Sequence, residues 1–373
     1  MTAPPPKTAP PPVNRPLLPS AAQIAPYLER IDASRWYTNR GPLLVELEQR
    51  LCALAGLPEQ ALTLTASGTA ALEAAILATA GPASAARPHA LIPSYTFPAT
   101  ALAAERCGYR PWFVDVDPAT MAVDPRALAR HPQLARCGVI LPVAAYGMRP
   151  DLAAYERLRA ETGIAVVVDA AAAFEQVLAH RLISEQVPLA LSFHATKSFS
   201  TGEGGAVLWG AAEGYAEISR IINFGFLEGR ETRSPGLNGK LSDYHAAVGL
   251  AMLDIWPERQ AAQAGVAALY RRSAADCGLD GALLLTPEVS SAYALLRCRD
   301  ASQAAGVTER LTRRGMDWRR WYEGGVHRMR HFAALPRDAL PGTEELAATL
   351  IGLPTAIDLS RDALDPVLRA AAG

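Results

Sequence analysis

The chain has 373 residues, half of them apolar, and a mean hydropathy of +0.07. That is enough apolar material for one large domain and a smaller one, and it excludes global disorder. Thirty-six basic residues against 37 acidic ones leave a net charge of −1, which excludes the basic surplus that drives binding to nucleic acid or an anionic membrane.

In chain order, residues 1–16 are Pro-rich and lack the apolar stretch of a secretory signal; a disordered, solvated tail is expected there. From Leu17 onward, short β-branched runs alternate with Ala/Leu/Glu/Arg-rich stretches of helical period. Strands are expected at Ala90–Pro93, Pro111–Val116, Gly138–Val143, Ile164–Asp169, Leu189–Phe193 and Gly205–Trp209. Helices are expected between them at Thr69–Ala80, Phe97–Cys107 and Pro150–Glu161. The alternation predicts an α/β domain with a mostly parallel sheet. A long Ala-rich helical stretch follows at Leu241–Trp256, and then helices mix with strand-like segments at Ala282–Leu285 and Ala292–Cys298, which marks a second, α+β domain. No apolar run reaches the ~18 residues of a membrane helix. Cys52, Cys107, Cys137, Cys277 and Cys298 stand apart, without the spacing of a zinc site or a disulfide scaffold, and read as buried thiols of a cytosolic protein.

Ligands of open α/β sheets bind at the carboxyl ends of strands, so the loops there hold the candidate chemistry. Thr65-Ala66-Ser67-Gly68-Thr69 is a small-residue turn opening a helix, either an anion cradle or an ordinary cap. No dinucleotide fingerprint or P-loop is present. Asp169 ends an apolar strand, either as a buried carboxylate that needs a partner or as a helix cap. Lys197 follows the next strand. Only Lys7, Lys197 and Lys240 are lysines, so 33 of the 36 basic residues are Arg. A lysine kept beside a strand end therefore points to work a guanidinium cannot do, namely forming an imine through an amine able to lose its proton. His194 reads as a packed residue and Gly202–Gly205 as a tight hairpin turn. In the stretch Gly236–Ser242, Ser242 reads as a helix cap and Asn238 as a turn residue or a ligand-binding amide. Arg313, Arg314, Arg319, Arg320 and Arg328, interleaved with Trp318, Trp321 and Tyr322, form either an anion-binding surface or a solvated basic face.

Taken in order, several motifs together resemble the DegT/DnrJ/EryC1/StrS sugar aminotransferase family, a branch of the fold-type-I enzymes that use pyridoxal phosphate. They are Trp36–Pro42, Ser67–Leu72, Pro93–Phe97, Phe113–Asp117, Tyr146-Gly147, Ser192–Lys197 and Leu237–Gly249. The resemblance spans roughly two-thirds of the chain, with fainter echoes at Gly315–His327 and Leu353-Pro354. It implies a large cofactor-binding domain over residues 17–255 and a small C-terminal domain over 256–373. It also implies that Lys197, in the family's S-F-x-x-T-K pattern, carries the covalent link to the cofactor and shuttles the proton, and that Asp169 pairs with the pyridine nitrogen. By the same resemblance Ser192, Gly68 and Thr69 hold the phosphate, and Phe97 stacks on the ring. Asn238, in G-x-N-x-[RK], reaches the phosphate from the partner subunit, so the active unit is a homodimer. The implied reaction is a ping-pong transfer from glutamate to a nucleotide-linked keto-sugar, in the cytoplasm, with no metal. One departure bears on the pocket: Ala172 stands where the family commonly has Gln or His near the cofactor's hydroxyl.

Two other readings share these motifs. A sugar dehydratase of the same fold replaces the lysine with His, and Lys197 argues against it. A cofactor-binding regulator without turnover would keep its visible band in the presence of any amine donor, whereas a transaminase would lose it with glutamate.

Overall fold

The computed structural model describes residues 10–226, 229–286 and 292–373. Its central sheet is built from β1 (Leu62–Thr65), β2 (His89–Pro93), β3 (Arg110–Val114), β4 (Cys137–Ile140), β5 (Ala165–Val166), β6 (Val168–Asp169), β7 (Leu189–Ser192) and β8 (Gly205–Leu208). One half runs β3-β2-β4-β5 with every pairing parallel. The other runs β1-β8-β7-β6, with β6 and β7 parallel and β8 antiparallel to both neighbours. The halves meet in the run 165–169, where the chain changes partners: Val166 pairs with Ile140, while Val168 and Asp169 pair with Leu189 and Ala190.

These strands are buried on both faces, which is why they read as continuous β-branched and aliphatic runs rather than as alternation. Leu91, Val139, Val166, Val168, Leu191 and Val207 are all essentially inaccessible to solvent. The helices fall close to their sequence positions, at Gly68–Thr79, Pro98–Arg106 and Leu152–Thr162. Ser67, Asp151 and Ser242 cap their helices by accepting hydrogen bonds from backbone N–H groups. The expected long helix at Leu241–Trp256 is Asp243–Asp254, followed at once by a 21-residue helix, Trp256–Asp276.

The C-terminal part holds a second, antiparallel sheet of β9 (Leu283–Leu284), β10 (Ala294–Arg297) and β11 (Leu350–Leu353), with β10 in the middle. The helices Ala301–Arg313 and Arg361–Ala372 pack together beside it, and residues 266–371 share their own apolar core.

Two expectations change here. Residues 10–16 do not form a solvated tail: Val13 is fully buried, its N–H donates to Asp317 at 2.8 Å, its carbonyl accepts from Thr355, and Arg15 pairs with Asp358 at 2.6 Å. An apolar side chain with a site to fill outweighs the solvation of the flanking prolines, whose fixed φ lowers the entropy cost of ordering. Residues 1–9 lie outside the described part of the chain. The second change concerns Gly202–Gly205. β7 and β8 do form a hairpin, with Ser192 opposite Gly205, but the connection is the whole loop 193–204 rather than a tight turn, and that loop carries Lys197.

Candidate active site

The structure brings together the carboxyl ends of β1, β6 and β7 and the start of the helix Gly68–Thr79. At that helix start, Ser67 accepts from the Ala70 N–H, and the N–H groups of Gly68 and Thr69 are left without an acceptor among the described residues. Ser192 lies directly against this turn. A Cβ built on Gly68 would stand 2.8 Å from Ser192 Cβ, and one built on Gly205 would stand 2.6 Å from the Gly68 nitrogen. Glycine at both positions is therefore what lets the strand ends press against the helix start and leave a concavity of bare N–H groups beside a hydroxyl. This is an anion cradle of the kind a phosphate group fills.

Asp169 is 5% exposed. Its Oδ2 accepts a hydrogen bond from Thr100 Oγ1 at 2.6 Å and its Oδ1 one from the Ala171 N–H at 3.1 Å. Burial raises its pKa, against the lowering pull of Thr100, of the Ala171 N–H and of the Lys197 charge. A buried carboxylate held on two sides in this way is suited to a cationic ring N–H. Thr100 sits one turn into the helix that Phe97 opens, and it also reaches the Phe97 carbonyl. Phe97, at 61% exposed, presents its ring to solvent, with no aromatic partner among the described residues.

Lys197 Nζ donates to the Tyr293 hydroxyl at 3.2 Å, which ties the β7–β8 loop to the start of β10. Beyond it lies a cluster of rings: Tyr146 stacks on Tyr322 with centroids 4.7 Å apart, Tyr95 Oη and Tyr146 Oη are 2.8 Å apart, and Tyr293 meets Trp321 edge-on. Desolvation pushes the Tyr322 phenol well above its ordinary pKa, and the charge of Asp169 adds to this, so the cluster adjoins the carboxylate. Tyr146 takes φ +55°, a left-handed conformation unusual for an aromatic residue, at the turn that puts its ring there. Glu175 is buried in the helix Phe174–His180, six residues after Asp169. Neither of its carboxylate oxygens has a hydrogen bond of good geometry, and burial raises its pKa to about 7 despite Ser198 and Lys197.

Gly68, Thr69, Phe97, Asp169, Ser192 and Lys197 thus surround one region. Asn238 is exposed, and its Oδ1 accepts from Lys240 at 2.8 Å. Its segment lies against the cradle, because the Gly239 carbonyl accepts from the Ala66 N–H at 2.7 Å. His194 is not packed as expected but exposed, with Nδ1 2.9 Å from Thr196 Oγ1, because the loop turns it outward. The Arg-rich stretch divides. Arg313 and Arg328 pair with Glu309 and Glu344 on the surface, whereas Trp321 and Tyr322 turn in to the ring cluster. Thr100 and Tyr293 are additions that no sequence motif marks.

The residues present fit pyridoxal phosphate: a cradle for its phosphate, a carboxylate for its ring nitrogen, an exposed aromatic face and a lysine. The comparisons agree. The chain is 32% identical over 371 residues to Protein Rv3402c of Mycobacterium tuberculosis, covering 96% of this chain and 89% of that protein. It is 35% identical over 250 residues to a dTDP-4-amino-4,6-dideoxy-D-glucose transaminase of Shigella dysenteriae, covering 65% of this chain and 64% of that one. Among solved structures it superposes on DesI, crystallised in the presence of its TDP-sugar product, with a TM-score of 0.83 and 29% identity over 97% of this chain and 92% of that one. The model of one family matches residues 20–371, and the chain therefore belongs to the DegT/DnrJ/EryC1/StrS aminotransferase family and is an enzyme dependent on pyridoxal phosphate.

Proposed function

We propose that this enzyme moves an amino group from glutamate to a nucleotide-linked keto-sugar, as a homodimer in which each site receives the partner's Asn238. The observation that carries the reading is the convergence of Lys197, Asp169 and the Gly68–Ser192 cradle in one pocket. The substrate class is supported by the Shigella relative, named for a dTDP-sugar, and by DesI with its TDP-sugar product. Exposed Trp36, Tyr37, Phe224 and Tyr244 are large apolar surfaces of the kind a second subunit covers. Five free cysteines suit a reducing cytoplasm.

The bound cofactor supplies an electron sink for the electrons left when a proton departs from the substrate carbon. The chain's residues do the rest. The Gly68 and Thr69 N–H groups and the Ser192 hydroxyl would hold the phosphate. Asp169 keeps its negative charge at the ring nitrogen and so keeps that nitrogen protonated; Thr100 and Ala171 hold the carboxylate in place. Lys197 Nζ is an amine that can accept and return a proton, which a guanidinium cannot. Tyr293 steadies it by the hydrogen bond between the β7–β8 loop and β10. The rings of Tyr95, Tyr146 and Tyr322 exclude water from that side, which strengthens the charge of Asp169.

The test is the visible spectrum of the loaded enzyme. Glutamate should bleach the band, and a nucleotide keto-sugar should restore it with release of the aminated sugar. A band that glutamate leaves unchanged would overturn the reading and favour a regulator.

A further inference from the structure

A pocket on the far side of the lysine loop holds a charge that the scheme above leaves unused. Arg259 lies on the first turn of the helix Trp256–Asp276 and is only 8% exposed. Its guanidinium makes no ion pair or side-chain hydrogen bond among the described residues, and burial alone pulls its pKa down. A buried cation without an anion is costly, and arginine keeps its charge where lysine would shed it.

Arg259 faces an open-mouthed cavity of about 70 Å³, whose walls also carry Asn14, Arg15, Lys197, Gln263 and Tyr293. Gln263 stands one helical turn beyond Arg259, on the same face. Of the three cations on these walls, Arg15 is held by Asp358 at 2.6 Å and Lys197 by Tyr293 at 3.2 Å, which leaves the Arg259 charge unanswered. Among the described residues, no Asp or Glu lines the space. A guanidinium without an ionic partner among the described residues, sharing its cavity with two side-chain amides, suits a carboxylate, since the fork of N–H groups matches the two oxygens of a carboxylate. The cavity has room for several waters, enough for a small acid and too little for a larger ligand.

We propose that this pocket binds a small dicarboxylic acid through Arg259, with Gln263 and Asn14 as amide partners, and so holds it beside Lys197. Two sources share that chemistry: the acidic amino donor of the reaction itself, or an effector acid that binds without reacting. The donor alternative rests on the glutamate reading given above, whereas the site does not.

Glutarate, a five-carbon dicarboxylate with no amine to transfer, is the probe. Calorimetric titration of the holoenzyme should show glutarate binding, weakened at least tenfold in Arg259→Met and less in Arg259→Lys. Removing an unpaired buried charge should leave the melting temperature equal or higher. If Arg259→Met fails to fold, Gln263→Leu should still weaken glutarate. For the donor source, the glutamate concentration that half-saturates bleaching should rise at least tenfold in Arg259→Met, and glutarate should compete with glutamate. For the effector source, glutarate should bind without competing, and Arg259→Met should bleach like the wild type. If glutamate never bleaches the wild type while glutarate binding still depends on Arg259, the glutamate reading falls and the site stands. No glutarate binding to the wild type, or equal binding to wild type and Arg259→Met, overturns the proposal.

Discussion

Adding one methyl group at Gly68 tests whether the cradle is a close-packed device or a loose turn. In Gly68→Ala the new Cβ would stand 2.8 Å from Ser192 Cβ, 3.2 Å from its Oγ and 3.3 Å from its Cα. The Cα belongs to β7, which is hydrogen-bonded within the sheet to β6 and β8, so the strand cannot yield. The helix start must instead retreat by several tenths of an ångström. Overpacking of this kind costs about 1–3 kcal/mol, which for a chain of this length lowers the melting temperature by roughly 1–4 °C. The retreat also carries the Gly68 and Thr69 N–H groups away from the phosphate. Loss of one hydrogen bond to a charged group costs about 1.5–3 kcal/mol, or roughly tenfold to a hundredfold in cofactor affinity. The assays are thermal melting of the cofactor-free protein and an absorbance titration with pyridoxal phosphate. Gly265→Ala is the comparison: its Cβ would meet nothing within 4 Å on the helix Trp256–Asp276, so it should stabilise by about 0.5–1 kcal/mol and leave cofactor affinity alone. If Gly68→Ala melts within a degree of wild type and binds cofactor as tightly, Ser192 and Gly68 do not form the cradle described. If it melts lower with affinity unchanged, Gly68 serves packing alone.

Lys197→Arg should abolish the visible band and turnover, while Lys240→Arg keeps both; the reverse result would move the site. Asp169→Asn should fold, since Thr100 can still donate to an amide oxygen, yet lose at least tenfold in turnover, about 1.5–3 kcal/mol for the missing charge; aggregation without a catalytic defect would make Asp169 structural. Glu175 has a pKa of about 7 in the folded chain, above the ordinary carboxylate value, so the native state prefers its protonated form. Its contribution is full below pH ~4.5 and lost as pH rises through about 7. Glu175→Gln should therefore raise the melting temperature at pH 8 and flatten the decline between pH 5 and 8; equal slopes in melts across that range would refute this. Finally, Asn238→Ala is expected to be feeble at limiting cofactor and Lys197→Ala inactive. A heterodimer of the two gathers both lesions in one site and frees the other, so mixing should restore up to half of the wild-type activity per dimer. Verified heterodimers without recovery would place Asn238 in its own chain's site or in none.

The sheet was legible wherever burial on both faces imposes a continuous apolar run, as at Ala90–Pro93 or Leu189–Phe193. It was not legible at β1, whose Leu-Thr-Leu-Thr is four residues long, nor at β11, where Gly352 interrupts the pattern. The division of 165–169 into two strands cannot be read from Val-Val-Val, because it depends on which neighbour each residue meets. In the site, the scarcity of lysine marked Lys197 and the strand-end position marked Asp169. Thr100 and Tyr293 carry no local sign, since they act on residues 69 and 96 positions away in the chain. The outward turn of His194 likewise depends on the path of a twelve-residue loop that the glycines suggested was shorter.

That loop has an evolutionary consequence. Ser192 and Gly205 face each other across the β7–β8 ladder, and Lys197 hangs from the arc between them. A slip of one residue in this ladder would reverse which face Ser192 presents and would dismantle phosphate and lysine positions at once, whereas the rings of Tyr293, Trp321 and Tyr322 reach the same pocket from the C-terminal part of the chain. Evolution can therefore reshape one wall of the pocket at Trp321 without moving the Gly68–Ser192 cradle or the arc that carries Lys197, whereas a change at Tyr293 would release the lysine's hydrogen bond.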